Sequence, residues 1–146
     1  MFFERKKYLK ELIAGRGNGL VKIITGVRRC GKSFLLFNIW HNWLLEHGVT
    51  DNHIIEIQLD DFRNRRLRKP DALLDYIDSK VIEDGNPHYI VLDEVQMVED
   101  FVEVILSLTH MRNVDVYVSG SNSRFLSSDV VTEFRGRGDE IRIWPL

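Results

Sequence analysis

Residues 26–33 read Gly26-Val27-Arg28-Arg29-Cys30-Gly31-Lys32-Ser33, and this stretch decides the fold. It matches G-x-x-x-x-G-K-[ST] at every fixed position. The pattern carries meaning only where a strand precedes it and a helix follows. Residues 20–25 (LVKIIT) are rich in β-branched side chains and predict a short strand. Residues 32–47 predict a long helix, stopped by Gly48. Between them, Gly26 and Gly31 let the backbone turn tightly and approach an anion with no Cβ in the way. The loop amides and the first turn of the helix then face that anion. Val27, Arg28, Arg29, Cys30 and Phe34 belong to this cradle chiefly through their backbone. Lys32 is placed to bridge β- and γ-phosphate oxygens, and Ser33 offers a hydroxyl to Mg²⁺.

Outward from the loop, strands and helices alternate. Residues 4–14 predict a helix with Tyr8, Leu9, Leu12 and Ile13 on one stripe. Gly15, Gly17 and Gly19 end it. Residues 53–59 alternate like a strand, 60–69 read as a charged loop, and Pro70 and Asp71 open a helix reaching about Glu83. Residues 88–92 (HYIVL) form a continuous apolar run, the mark of a strand covered on both faces. A helix over 100–111, a strand over 114–119, a helical or looped stretch over 123–134 and a strand over 139–144 complete the series. Such alternation predicts an α/β fold: a three-layer αβα sandwich on a five-stranded, mostly parallel sheet. Residues 1–19 read as an N-terminal helix and linker, and 20–146 as the core. The helix after the phosphate loop is apolar nearly all round. It is therefore buried on more than one side, or its outer face meets another protein surface.

The apolar run ends in Asp93-Glu94-Val95-Gln96. An aspartate emerging from a buried strand at the carboxyl edge of a parallel sheet sits where ligands bind. Asp93 there can hold Mg²⁺, directly or through its waters. Glu94 beside it suits a base that orients and polarises water, which distinguishes hydrolysis from transfer to a substrate hydroxyl. Gln96 either contacts the γ-phosphate side or caps the following turn.

The strand over 114–119 runs into Ser119-Gly120-Ser121-Asn122-Ser123. If that strand lies between the two motif-bearing strands, Asn122, or else Ser121, can orient the attacking water. A Ser/Asn-rich turn would look the same. Arg135 and Arg137 precede the last strand, and an arginine there can neutralise transition-state charge, within the chain or across a subunit boundary.

The 146 residues are 44% hydrophobic and 29% charged, which excludes a disordered chain. One cysteine excludes a disulfide framework, and no apolar run is long enough to span a membrane. The expected location is cytoplasmic. A formal net charge of −2 gives no global case for nucleic-acid binding. Arg63, Arg65, Arg66, Arg68 and Lys69 form a local basic run that could touch phosphates, although Asp60 and Asp61 adjoin it. The five histidines show no metal-ligand spacing with Cys30, so no zinc site is expected.

ITGVRRCGKS, IVLDEVQ, VSGSNSRFLSSD and FRGRGDEIRIWPL occur in this order along the chain. Together they resemble the prokaryotic AAA-type ATPases, P-loop NTPases of the AAA+ superfamily whose phosphate loop reads GVRRCGKS. In that family a DEIQ-like acidic strand end, a TGSNS-like strand end and a GR before a PLS segment follow. The resemblance covers residues 8–146. It implies that Lys32 and Ser33 are the phosphate-loop pair and that Asp93 and Glu94 are the acidic pair. It matches Asn122, with Ser121, to the sensor segment and Arg137 to the late arginine. Gly138 departs from the pattern, since a bulkier residue usually follows the arginine. Family members also continue beyond PLS into a separate C-terminal domain, so the chain resembles the ATPase core alone. The resemblance favours ATP over GTP.

The expected function is Mg²⁺-dependent ATP binding and hydrolysis, with Glu94, Lys32, Asn122 and Arg137 catalytic and Ser33 and Asp93 holding the metal. Hydrolysis would drive motion of a further domain, a protein partner or a second copy of the chain. The alternatives are a nucleotide-binding switch with little turnover and, third, a small-molecule phosphotransferase.

Overall fold

The computed structural model describes residues 2–26, 31–121 and 138–142, with side chains for 6–26 and 31–121. Five strands form one sheet: β1 (Val21–Thr25), β2 (Ile54–Gln58), β3 (His88–Asp93), β4 (Val114–Gly120) and β5 (Gly138–Arg142). Their order is β2-β3-β4-β1-β5, and every neighbouring pair is parallel. β1 and β3 are buried along their whole length, as strands covered on both faces must be. β4 lies between them, so the phosphate-loop strand and the acidic strand are both its neighbours. β5 closes the β1 side over residues 138–142, and positions 143 and 144 of the expected strand lie outside the described residues.

Two apolar layers sandwich the sheet. On one face Val21, Ile23, Ile90, Leu92, Val116 and Val118 meet α3 (Pro70–Lys80) and α4 (Phe101–Leu108) through Leu73, Ile77, Phe101, Val104, Ile105 and Leu108. On the other, Ile24, Tyr89, Val91 and Tyr117 meet α1 (Phe2–Ala14) and the helix that follows the phosphate loop. That helix, α2, is α-helical over Lys32–Phe34, π-helical over Leu35–Trp40 and α-helical again over His41–Glu46. Its apolar circumference is covered from two sides. The sheet takes one face, and Tyr8 and Leu12 of α1 take another. Trp40 is fully buried and stacks on Trp43 at 5.3 Å between ring centroids, while the Arg16 guanidinium lies 4.9 Å from the Trp43 ring. Both rings are thus packed within the chain, although the buried Trp40 Nε1–H has no hydrogen-bond partner among the described residues. The large apolar residues left exposed, among them Phe34, Leu45 and Phe62, are scattered along α2 and the following loops.

The charged stretch after β2 is more ordered than its composition suggests. Phe62–Arg68 form a 3₁₀ helix, because the Asp61 side chain accepts the Arg63 amide at 2.9 Å and caps the turn. The expected segment 123–134 lies outside the described residues. No described helix is long and apolar enough to cross a membrane.

Candidate nucleotide-binding site at the carboxyl edge

Parallel strands all point their carboxyl ends to one edge, so β1, β3 and β4 deliver the sequence-selected residues to a common place. Gly31 has φ 101°, in the region open to glycine, and Lys32 and Ser33 begin α2 directly after it. Ser33 Oγ donates to Asp93 Oδ2 at 2.6 Å, across 60 residues of sequence. Lys32 is buried. Its Nζ donates to the Gly26 carbonyl at 3.1 Å and lies 3.6 Å from Glu94 Oε1, an ion pair too long for a hydrogen bond.

Asp93 ends a fully buried strand. Burial pushes its carboxyl above the usual carboxylate range, opposed by the hydrogen bonds from Ser119 and Ser33. A carboxylate so desolvated gains from a cation at hand. Glu94 then breaks the strand, with φ 55° and ψ 51°. A non-glycine residue in that region is strained by about 1–2 kcal/mol. The Ser119 hydroxyl holds the kink in place: it accepts the Glu94 amide at 3.0 Å and donates a short bond to Asp93 Oδ1. Glu94 Oε2 accepts two further bonds, from Ser121 Oγ and Gln96 Nε2, each at 2.6 Å.

Of the expected residues, Gly26, Gly31, Lys32, Ser33, Asp93, Glu94 and Ser121 come together, and Phe34 stands exposed at the start of α2. Val27, Arg28, Arg29, Cys30, Asn122, Arg135 and Arg137 lie outside the described residues. Sequence reasoning missed Ser119, which touches both acidic residues. It is the position on the middle strand level with the end of β3, which only the strand order and register reveal. Gln96 bonds Glu94, which neither of its two expected roles anticipated. A hydroxyl on Asp93, a buried carboxylate in want of a cation and a lysine beside them form a donor set that fits a hydrated Mg²⁺ and a phosphate chain.

Two other expectations meet the structure differently. In the basic run, Arg63 pairs with Asp61 at 2.9 Å, Lys69 with Glu99 at 2.6 Å, and Arg68 donates to the Leu59 carbonyl. Arg65 stacks 4.4 Å from the Phe62 ring. The run is largely committed within the chain. The histidines, dispersed in sequence, are partly gathered in space: potential ligand atoms of His53, Asp84 and His88 lie within 4.8 Å at the amino edge of the sheet. Each ring nitrogen already has a partner, however. His53 Nε2 meets Asp84 Oδ2 at 2.6 Å and its Nδ1 meets Thr50 Oγ1 and Asn52 Oδ1. His88 Nε2 accepts the Ile82 amide and its Nδ1 faces the Asn86 carbonyl. The group clips the 82–87 turn to the sheet.

A parallel sheet in this strand order, with the Lys32 and Ser33 of a G-x-x-x-x-G-K-S sequence against an Asp-Glu strand end, fits a nucleotide-binding domain of the ATPase type. The family model described as "AAA domain" matches residues 18–146, and the chain belongs to that family. It is 31% identical over 142 residues to an uncharacterized protein of Haemophilus influenzae, covering 97% of this chain and 35% of that one. It is 28% identical over 130 residues to uncharacterized protein MJ1544 of Methanocaldococcus jannaschii, covering 86% and 26%. The chain thus spans about a third of the length of the first curated relative and about a quarter of the second. Among solved structures, C. elegans PCH-2 superposes with a TM-score of 0.62 at 14% identity, covering 98% of this chain and 40% of that one. Drosophila ORC bound to DNA gives 0.61 at 13% identity, covering 97% and 90%. These likenesses are of fold.

Proposed function

We propose that the chain binds ATP with Mg²⁺ at the carboxyl edge of its sheet and hydrolyses it, coupling the cycle to motion of further protein, whether in the same polypeptide, a partner or a second copy. The observation that carries this reading is the 2.6 Å bond from Ser33 to Asp93 with Lys32 and Glu94 alongside. It joins the two motifs at one point. Ser33 and Asp93 would hold the metal, which when bound neutralises phosphate charge. Lys32, which donates to the Gly26 carbonyl and faces Glu94, turns to the β- and γ-phosphates, where charge-assisted hydrogen bonds replace its long ion pair. Glu94, released from Lys32 but still held by Ser121 and Gln96, accepts the proton of the attacking water. Asn122 and Arg137 complete the proposed set by resemblance.

A switch with little turnover is the second reading, favoured by one observation: Glu94 is already engaged by Ser121 and Gln96. Calorimetric titration with MgATP, followed by phosphate release, separates the two. Micromolar binding with release supports hydrolysis, binding without release supports the switch, and no binding refutes both.

A further inference from the structure

Glu94 carries two oxygens with different surroundings. Oε2 accepts from both Gln96 Nε2 and Ser121 Oγ, while Oε1 is the oxygen that faces Lys32. Residues two apart on a regular helix point away from each other. Glu94 and Gln96 meet only because Glu94 sits in the left-handed region and Val95–Met97 turn as a 3₁₀ helix. The strained residue and this contact are therefore one feature. The orientation of the amide is fixed by chemistry, because a carboxylate only accepts and the NH₂ end must face it. The opposite end, Gln96 Oε1, is then buried with no hydrogen-bond partner among the described residues. A glutamine kept for the turn alone would satisfy its carbonyl. This one leaves it unmet while holding a carboxylate.

We infer that Gln96 is the positioning residue of Glu94: by occupying Oε2 it presents Oε1 toward the place proposed for the phosphates. The inference rests on the hydrolytic reading above. Gln96 acts through Glu94 and contributes nothing to nucleotide affinity. Ser121 shares the task from just beyond the end of β4, so the carboxylate is held from two segments at once.

The test uses Gln96→Leu, Glu94→Gln and the double variant. MgATP affinity is read by calorimetry and phosphate release in single turnovers followed for hours. Gln96→Leu should bind MgATP within about threefold of the parent and release phosphate roughly 10- to 100-fold more slowly, less than the roughly 10²–10⁴-fold of losing a general base outright. In the Glu94→Gln background the same change should cost less than about twofold, because its target is gone. A merely structural role would lower affinity and cost as much in both backgrounds. Independently of turnover, the Gln96 side-chain amide resonance, assigned sequentially by NMR, should move on Glu94→Gln; this also decides the matter if Gln96→Leu does not fold. Parental release from Gln96→Leu, equal losses in both backgrounds, or an unmoved amide resonance overturns the inference alone. No release from the parent, or parental release from Glu94→Gln, overturns the hydrolytic reading beneath it.

Discussion

The two edges of the sheet each bury a lysine opposite a carboxylate, and they do so in opposite ways. At the amino edge, Lys22 on β1 is fully buried and makes a short contact with Asp115 on β4. Lys22 Nζ also donates to Asn18 Oδ1 at 3.0 Å, and Asp115 Oδ2 accepts the Gly17 amide at 2.9 Å, with the Tyr117 hydroxyl at 3.3 Å. That network is closed. At the carboxyl edge, Lys32 and Glu94 stand 3.6 Å apart, Asp93 is pushed toward its neutral form by burial, Glu94 is strained and Gln96 keeps an unmet carbonyl. Buried charge serves the fold where every group is matched within the chain. Incomplete matching of buried charge is the pattern expected of a functional site, and it is what the proposed function uses.

The largest expected effect sets these lysines against each other. Lys22→Ala strands Asp115 as an uncompensated buried charge and should cost about 3–5 kcal/mol, lowering the melting temperature by roughly 10 °C. Lys32→Ala should cost less stability, because Glu94 keeps its bonds from Ser121 and Gln96, yet weaken MgATP binding about 100-fold, the loss of one charge-assisted contact set. If calorimetry and thermal melts find the reverse assignment, the contrast between the edges collapses.

Glu94→Gln comes next. It should retain MgATP affinity and cut phosphate release by about 10²-fold or more. Equal release from variant and parent would remove the base from the proposed site.

Asp93→Asn sharpens the contrast in sign. Asp93 has its carboxyl raised in the folded chain, first by desolvation. A raised acid penalises the folded state increasingly as pH climbs past the ordinary value. The amide should therefore raise the melting temperature at neutral pH while weakening the Mg²⁺ dependence of ATP binding. A variant that melts lower and binds MgATP normally would mark Asp93 as structural, like Asp115.

The smallest effect concerns the clip at the amino edge. Asp84 is held well down, to about 2, by the Asn86 amide first and by His53. A depressed acid contributes stability above its ordinary value and loses it as pH falls toward the folded one. Acid melts should show this contribution disappearing between about pH 4 and pH 2, and Asp84→Asn should flatten that stretch of the curve. The carboxyl is exposed to solvent, so the change should be small and fade with added salt.

Local pattern made the fold and half of the candidate site legible. The phosphate loop declares itself because each residue type answers a steric or electrostatic need of a turn before a helix. The acidic pair is visible because four apolar residues announce a buried strand and its exit. Helix ends and the covered face of α2 were less legible, since Tyr8 and Leu12 reach Trp40 only after α1 folds across it. Ser119 and Gln96 were illegible for a related reason. Serines and glutamines are common near strand ends, and nothing along the chain records which carboxylate they will meet.

The amino-acid sequence alone determined the alternation of strands and helices, the anion-cradling turn and the acidic exit of the third strand. These follow from periodicity and backbone sterics, which act over a few residues. Only the tertiary structure decided that β4 inserts between β1 and β3. That placement sets Ser119 and Ser121 against the acidic pair and closes the amino edge around Lys22. Such outcomes depend on strand order and on burial, which set the charge and hydrogen bonding of groups far apart in sequence, and no local pattern encodes them.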